Sequence, residues 1–489
     1  MVEAAKGALS GARKKNSIYY LNGIIAIVLM VAGFIIPPVD PLTQSGMQTV
    51  FIFVGVVYAM TTVGVIWPCL LGMVLLGFVG DNTVASVYLN GFGNDTYLFV
   101  FFLLIFAAIL NSSGLSKTIA YKLVSLKVAN GRPWVLSLLI FVAAYLVGML
   151  ISCTPGILIP WAIIYTICDI SGYTSKDRWP KVMVIGVVLS SCLGNAALPF
   201  KPMSLYMMKG LTDATSMTID YTMFTVFAVT MSLLMVLGYW ALCKFAFRVD
   251  VKRLSAVKVD FANEVQITAQ QKQLCVFLVA LFAFLFLPSF LPAGSDMKLF
   301  MTRLGSTAVA IGILIVLAFM RKKDGTEYAS ISEAIKTGVP WQTMIMLAFV
   351  MVISSGLTAQ GTGVSAALSG LIDPILGSAG GFAFVIALIV LAIIGTQLIG
   401  NLVYGLLLMP VLCVYGATTG ANLPMLTVAL CVVLNVALFL PSASPLAGLL
   451  HGNREWVSST DIYKVTIPTV VVCAAIAIIL CGTVGELLF

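Results

Sequence analysis

The sequence predicts an all-α polytopic membrane protein with about eleven transmembrane helices, arranged as two inverted repeats that each hold a re-entrant hairpin and a broken helix. Three observations carry this reading. Of 489 residues, 60% are hydrophobic and 9% charged, with a mean hydropathy of +1.07. A water-soluble domain cannot cover itself with so few charges. Apolar runs at 24–36, 274–291 and 465–481 have the length needed to cross, or nearly cross, a hydrocarbon layer of roughly 30 Å. Small polar breaks also interrupt two long apolar stretches at comparable places in the two halves.

Residues 1–46 read as an N-terminal tail and first span. Lys6, Arg13, Lys14 and Lys15 precede the first apolar run, and the first fifteen residues have no apolar h-region of their own, so that run is expected to be a retained span. Residues 47–248 form the first repeat, 249–272 a cytoplasmic linker and 273–489 the second repeat. Lys244, Arg248, Lys252, Arg253, Lys258 and Lys272 gather at the linker, and Arg321, Lys322 and Lys323 form a further basic cluster. The net charge of +8 is thus a matter of loop placement, and the positive-inside rule puts these loops on the cytoplasmic side. The tail after Thr483 holds Glu486 and no basic residue, which fits an extracytoplasmic C-terminus, a cytoplasmic N-terminus and an odd number of crossings. The expected location is the cell membrane, plasma or inner.

In the first half, Ser113-Gly114 is followed 46 residues on by Pro160, with Ser152-Cys153-Thr154-Pro155-Gly156 just before that proline and Leu198-Pro199 after it. In the second, Thr362-Gly363 is followed 47 residues on by Pro410, with Gly400-Asn401 before it and Leu440-Pro441 after. Measured instead from the Ser-Ser-Gly-Leu sequences at 112–115 and 354–357, the two spacings are 46 and 54, a looser register. Hairpins are expected to include 98–112 and 341–356, with the broken helices at Ser152–Gly156 and Gly400-Asn401. Hydrophobic segments interrupted at corresponding positions of two halves are the sequence pointer to a carrier with its binding site at the repeat interface.

Unwinding a helix frees carbonyl oxygens for a cation, and a half-helix N-terminus offers N–H groups and a positive dipole to an anion. Gly156 and Gly400 supply backbone freedom, Pro155 and Pro410 cannot donate a ladder hydrogen bond, and Ser152, Thr154 and Asn401 add polar side chains. The bland alternative is a pair of proline kinks that only shape packing. The ten cysteines are scattered without a metal-ligand spacing, so no metal centre is expected and they read as packing residues. With one histidine and carboxylates mostly at segment ends, an intramembrane enzyme lacks convergent catalytic groups. No cofactor is implied.

The breaks resemble the motifs of the divalent anion/sodium symporter family, within the ion transporter superfamily. That family carries a Ser-Asn-Thr motif in each repeat, followed by small residues and a Leu-rich run ending in Pro. Gly400-Asn401-Leu402, leading to Pro410, resembles the second copy with its Ser and Thr replaced. Ser152-Cys153-Thr154, leading to Pro160, resembles the first with Cys153 in place of Asn. Ser444-Pro445 is similar to the family's downstream Thr-Pro element, and Lys201-Pro202 stands at its first-repeat counterpart. The resemblance implies import or exchange of a di- or tricarboxylate, or sulfate, usually sodium-coupled, by a homodimer moving as an elevator. It implies substrate contacts at Ser152, Cys153, Thr154, Lys201, Pro202, Asn401, Ser444 and Pro445, and ion contacts at Ser152, Gly156, Asn195, Thr362, Gly400 and Asn401, with Na+ as the possible coupling ion.

Lys201 is the sharpest single residue, because it lies between Pro199 and Pro202 in an otherwise apolar or hydroxylic segment. A charge at the bilayer centre costs at least ~2.5 kcal/mol on insertion scales. It reads as the counter-charge for a carboxylate or as a stand-in for a sodium ion, against a snorkelling stem. Asn195 and Asn435 are cavity amides or interhelical hydrogen-bonders; His451 reads as a helix end or a proton relay. Asp169 and Asp373 read as solvated caps. Gln360, Thr362 and Ser355 read as a hairpin tip. The leading function is therefore a secondary carrier of a small organic anion. An anion exchanger or a cation/proton antiporter of the same superfamily is the alternative; no acid inside either broken-helix region supports the antiporter.

Overall fold

The computed structural model describes residues 2–256, 266–292, 294–322, 324–359, 361–364, 366–367, 370 and 381–489. Gln360, Asp373 and the middle of the expected linker, which includes Lys258, lie outside the described residues. The first half runs α1 Val2–Ile35, α2 Gln44–Thr62, α3 Ile66–Leu76, α4 Val84–Phe92, α5 Asp95–Ser112, α6 Leu115–Val124, α7 Pro133–Leu150, α8 Cys153–Ser171, α9 Arg178–Ala196, α10 Pro202–Thr215 and α11 Tyr221–Ala241. The second runs α12 Ala269–Phe290, α13 Asp296–Phe319, α14 Ile331–Gly338, α15 Trp341–Thr358, α16 Gly381–Gly395, α17 Asn401–Thr419, α18 Leu423–Val433, α19 Pro445–Gly452 and α20 Ser459–Leu480. Among the described residues, ten helices are long and apolar enough to cross a membrane, or eleven if the pair Ile331–Gly338 and Trp341–Leu357, bent by 78°, counts as one span. The protein is an all-α polytopic membrane protein, as its composition requires.

Which helices reverse is where the structure departs from the sequence reading. The stretches 98–112 and 341–356, expected as hairpins, lie within the single helices α5 and α15. The reversals fall one element later, at the two polar breaks. A Cβ placed on Gly156 would lie 3.1 Å from the carbonyl oxygen of Ala144 and 3.0 Å from the nitrogen of Gly148, although twelve residues of straight helix span ~18 Å. The chain therefore turns back at Ile151-Ser152, and α7 and α8 are the arms of hairpin 1. Likewise the Tyr404 hydroxyl donates to Leu391 O at 3.0 Å across thirteen positions, ~20 Å if unbroken. The turn at 396–400 makes α16 and α17 the arms of hairpin 2.

The interrupted helices follow. After α9 the chain leaves helical geometry through Ala197–Lys201 and resumes as α10; after α18 it does so through 434–444 and resumes as α19. Pro199 cannot donate inside the first interruption, and Pro202 and Pro445 sit at the first helical position of the restarts, where a missing N–H costs nothing. Each half thus has the same order, hairpin, interrupted helix, then a long span (α11 or α20). Helix α9 is the most deeply buried of the candidate spans, with 89% of its apolar window enclosed by protein, so its C-terminal end delivers Lys201 into the interior. By contrast α12 and α13 are only 22% buried by the same measure and present apolar side chains such as Val276, Phe290 and Ile315 outward.

Candidate functional site

Four half-helices begin at residues singled out by the sequence. Ser152 is the N-cap of α8, Lys201 of α10, Gly400 of α17 and Ser444 of α19. Three of them, Ser152, Lys201 and Gly400, make no side-chain cap, whereas Ser444 accepts from the nitrogen of Ala447 at 3.0 Å. An uncapped N-terminus keeps its first N–H groups available and its positive dipole unneutralised.

Hairpin 1 is held by packing and by reciprocal bonds at its tip. Ser191 Oγ donates to Cys153 O at 3.1 Å, and Cys153 Sγ lies 3.5 Å from Ser191 O. Gly156 is where Ser191 fits, since a Cβ there would lie 2.4 Å from Ser191 Oγ. Its role is close approach of the hairpin arms to α9, a different use of the glycine from an ion contact. Thr154 is exposed, Pro155 half-buried. Lys201 reaches back to the same tip, with Nζ 3.4 Å from both Gly148 O and Ile151 O. It is 9% exposed, and among the described residues no carboxylate lies within ion-pair distance of it; the pairs formed are Lys181–Asp461, Lys209–Asp213 and Arg253–Asp177. Asn195, in the last turn of α9, is half-buried.

Hairpin 2 and the second interruption are tied by neutral groups. Thr396 Oγ1 donates to Leu434 O at 2.9 Å. Gln397 donates through Nε2 to Ile393 O and Val436 O, and its Oε1 accepts from the nitrogens of Leu438 and Phe439. Asn401 N donates to Ala443 O at 3.1 Å, and Ser444 Oγ donates to Ala437 O at 3.2 Å. His451, buried on α19, places Nε2 3.3 and 3.0 Å from Leu438 O and Phe439 O. Around this tip lies a cavity of about 270 Å3 whose walls include Gly400, Asn401, Ser442 and Ser444. Gln342 and Thr343 from the start of α15 face it, as does Met60 from α2. Among the described residues, the Asn401 side chain accepts from its neighbour Leu402 N, through Oδ1.

The two halves meet through α10. Tyr206 Oη donates to Leu402 O at 3.1 Å, and Asn435 Nδ2 approaches Met203 Sδ while donating to Cys431 O at 2.7 Å. In the other direction, Asn453 Nδ2 at the end of α19 donates to Tyr165 Oη of α8 at 2.7 Å, and Trp456 stacks on the Tyr165 ring. Each interrupted helix therefore reaches the hairpin of the opposite half.

Thr362 does not join this assembly. Its carbonyl accepts from the nitrogen and hydroxyl of Thr43 before α2, and it lines a separate cavity of about 690 Å3 with Ser45, Thr49, Lys209 and Ser355. The two cavities lie at opposite ends of α15, whose residues 342–346 face one and 351–356 the other. Gln397, Tyr206, Gln342 and Ser191 were missed by sequence reasoning. Gln397 carried a visible signal, as the one amide in the run 381–399; the others needed the tertiary fold.

Comparison with known proteins agrees with this architecture. The family model CitMHS, described as Citrate transporter, matches residues 55–434. No curated protein matches the sequence. Among solved structures the chain is similar to the YdaH transporter of Alcanivorax borkumensis, at 14% identity and a TM-score of 0.57 over 82% of this chain and 87% of that one. It is also similar to MtrF of Neisseria gonorrhoeae, described with a class of antimetabolite efflux pumps, at 12% identity and a TM-score of 0.55 over 96% of each chain. At such identities these likenesses concern the fold.

Proposed function

The chain belongs to the CitMHS citrate transporter family, and from that premise we propose that it is a secondary carrier of a di- or tricarboxylate whose site joins Lys201 to the cavity at Asn401. It is a transporter and not an enzyme. The observation that carries the site is the Lys201 ammonium, buried without a carboxylate partner among the described residues at the uncapped start of α10. A buried cation is tolerated where it has polar partners, and two carbonyls at 3.4 Å neutralise none of its charge. A substrate carboxylate would supply the missing anion, and the free N–H groups at the starts of α8 and α10 would take further carboxylate oxygens. Asn401 Nδ2, Ser442 and Gln342 supply neutral donors for a substrate hydroxyl or a second carboxylate.

The reciprocal packing of interrupted helices and hairpins supports two inverted repeats, 47–248 and 273–489, joined by the linker 249–272. Exposed apolar faces on α12 and α13 suit a lipid-facing or dimer-forming scaffold, against which the hairpins and interrupted helices would move as an elevator. We place the protein in the cell membrane as a homodimer, with its basic N-terminus cytoplasmic and its C-terminus outside.

The test is thermal unfolding of the detergent-solubilised protein with citrate, succinate, malate and sulfate. A ligand that binds only the folded state raises the midpoint with its concentration. Stabilisation by one or more carboxylates, lost in Lys201→Ala, supports the reading; a response to none of the four removes it.

A further inference from the structure

A coupling cation held by backbone needs carbonyl oxygens without other partners, and helix C-termini and unwound segments are where such carbonyls arise. Among the described residues of the second half, many of the carbonyls in such places are already taken. Across its interruption, Leu434 O accepts from Thr396, Val436 O from Gln397, Ala437 O from Ser444, Leu438 O and Phe439 O from His451, Leu440 O from Ala443 N and Ala443 O from Asn401 N. At the end of α16, Ile393 O accepts from Gln397. In the first half the nitrogens of Ile151 and Ser152 both turn to Val147 O. Gly148 O thereby loses the helical donor that Ser152 would have supplied, and it is this oxygen, with Ile151 O, that faces Lys201 Nζ.

We propose that Lys201 is a tethered cation, standing at the carbonyl pair of hairpin 1 where a diffusible metal ion would otherwise sit, and that Gln397 closes the matching position of hairpin 2, so that neither of these two positions takes sodium. The asymmetry fits the two restarts: Lys201 and Ser444 both precede a proline at the first helical position, one with a charge that reaches the hairpin, the other with a hydroxyl that stays in its own interruption. Lys201 then has two tasks at one point. It links hairpin 1 to α10 in every state of the cycle, and it leaves a fixed positive charge for the substrate anion. This rests on the carrier reading above but concerns the ion rather than the anion, and it favours an exchange mechanism over sodium symport.

The experiment measures the unfolding midpoint of the full chain in 100 mM sodium, potassium or N-methyl-D-glucamine chloride, without organic anion. The wild type is expected to unfold at one temperature in all three. Lys201→Ser, which places the second half's side chain at this position, opens the carbonyl pair and gains a sodium-specific rise on the order of 2 °C; Lys201→Arg retains the charge and gains none. Should Lys201→Ser not fold, Gln397→Ser, which frees Val436 O and Ile393 O, is expected to gain the sodium response instead. A sodium-specific rise in the wild type, or sodium-blind unfolding of both folded serine variants, overturns the proposal. A purely structural lysine would change the midpoint equally in all three salts. Failure of the carboxylates to stabilise the protein would leave this ion comparison intact.

Discussion

The hydroxyl of Tyr206 donates to the carbonyl oxygen of Leu402, 3.1 Å away. That bond joins the half-helix beginning at Lys201 to the tip of the hairpin that belongs to the other half. Both ends of it lie beside site residues, Lys201 one and a half turns away on one side and Asn401 adjacent on the other, so the bond is part of what brings the two irregular regions together. Tyr206→Phe removes it while keeping the ring. The expected cost is about 1 kcal/mol of stability, read by thermal unfolding, with a larger fractional loss in anion uptake because the halves lose register.

Gln397 closes a denser network. Its carboxamide donates to two carbonyls and accepts from two nitrogens of the opposing interruption. Gln397→Leu keeps the volume and strands all of these groups in the interior, at an expected cost of about 3 kcal/mol or more. Gln397→Glu retains the acceptor, loses the donor and adds a charge, and is expected to express less well still. Yield and unfolding midpoint in detergent check both.

The tip of hairpin 1 depends on the small residue at 156. An alanine there meets Ser191 Oγ at 2.4 Å and the backbone of α7 at 3.0 Å, so Gly156→Ala is expected to destabilise by about 1–3 kcal/mol through overpacking. Ser191→Gly removes the nearer obstacle. The double variant should recover part of the loss, measured as a coupling energy between the two sites.

Outside the membrane, the backbone N–H of Thr174 donates to Asp177, and together with the Thr174 hydroxyl and Arg253 it holds that carboxyl below its usual range. A folded-state pKa that is depressed contributes stability above the unfolded value, lost as pH falls through the folded one. The loss of midpoint between pH 7 and pH 3 is therefore expected to be smaller in Asp177→Asn than in the wild type. The effect is small because the group is solvated.

Composition fixed the class, because a chain with 9% charged residues has only lipid as a compatible surface. The positions of the four restarts were also legible: Ser152, Lys201, Gly400 and Ser444 precede or adjoin Pro and Gly at points where a helix cannot continue in register. What the letters did not show was direction. A break such as Ser152-Cys153-Thr154-Pro155-Gly156 reads alike whether the chain goes straight on or turns back, and the choice is made by tertiary contacts, Gly156 against Ala144 and Tyr404 against Leu391. Thr362 shows the same limit: Gly363 stands 47 residues before Pro410, close to the 46 between Gly114 and Pro160, while the partner of Thr362, Thr43, lies 319 residues away. Gln397 shows the converse case, a residue overlooked in the sequence although its polarity within the apolar run 381–399 was a visible signal.

The most direct measurement of the site is uptake of labelled citrate into proteoliposomes preloaded with unlabelled citrate, comparing wild type, Lys201→Ala and Asn401→Ala. Saturable counterflow is expected in the wild type, with at least a tenfold loss in each variant, the scale of one charge-assisted hydrogen bond, while each variant elutes as a monodisperse particle with the wild-type helical signal. Undiminished counterflow in both folded variants would contradict the placement of the substrate between Lys201 and Asn401.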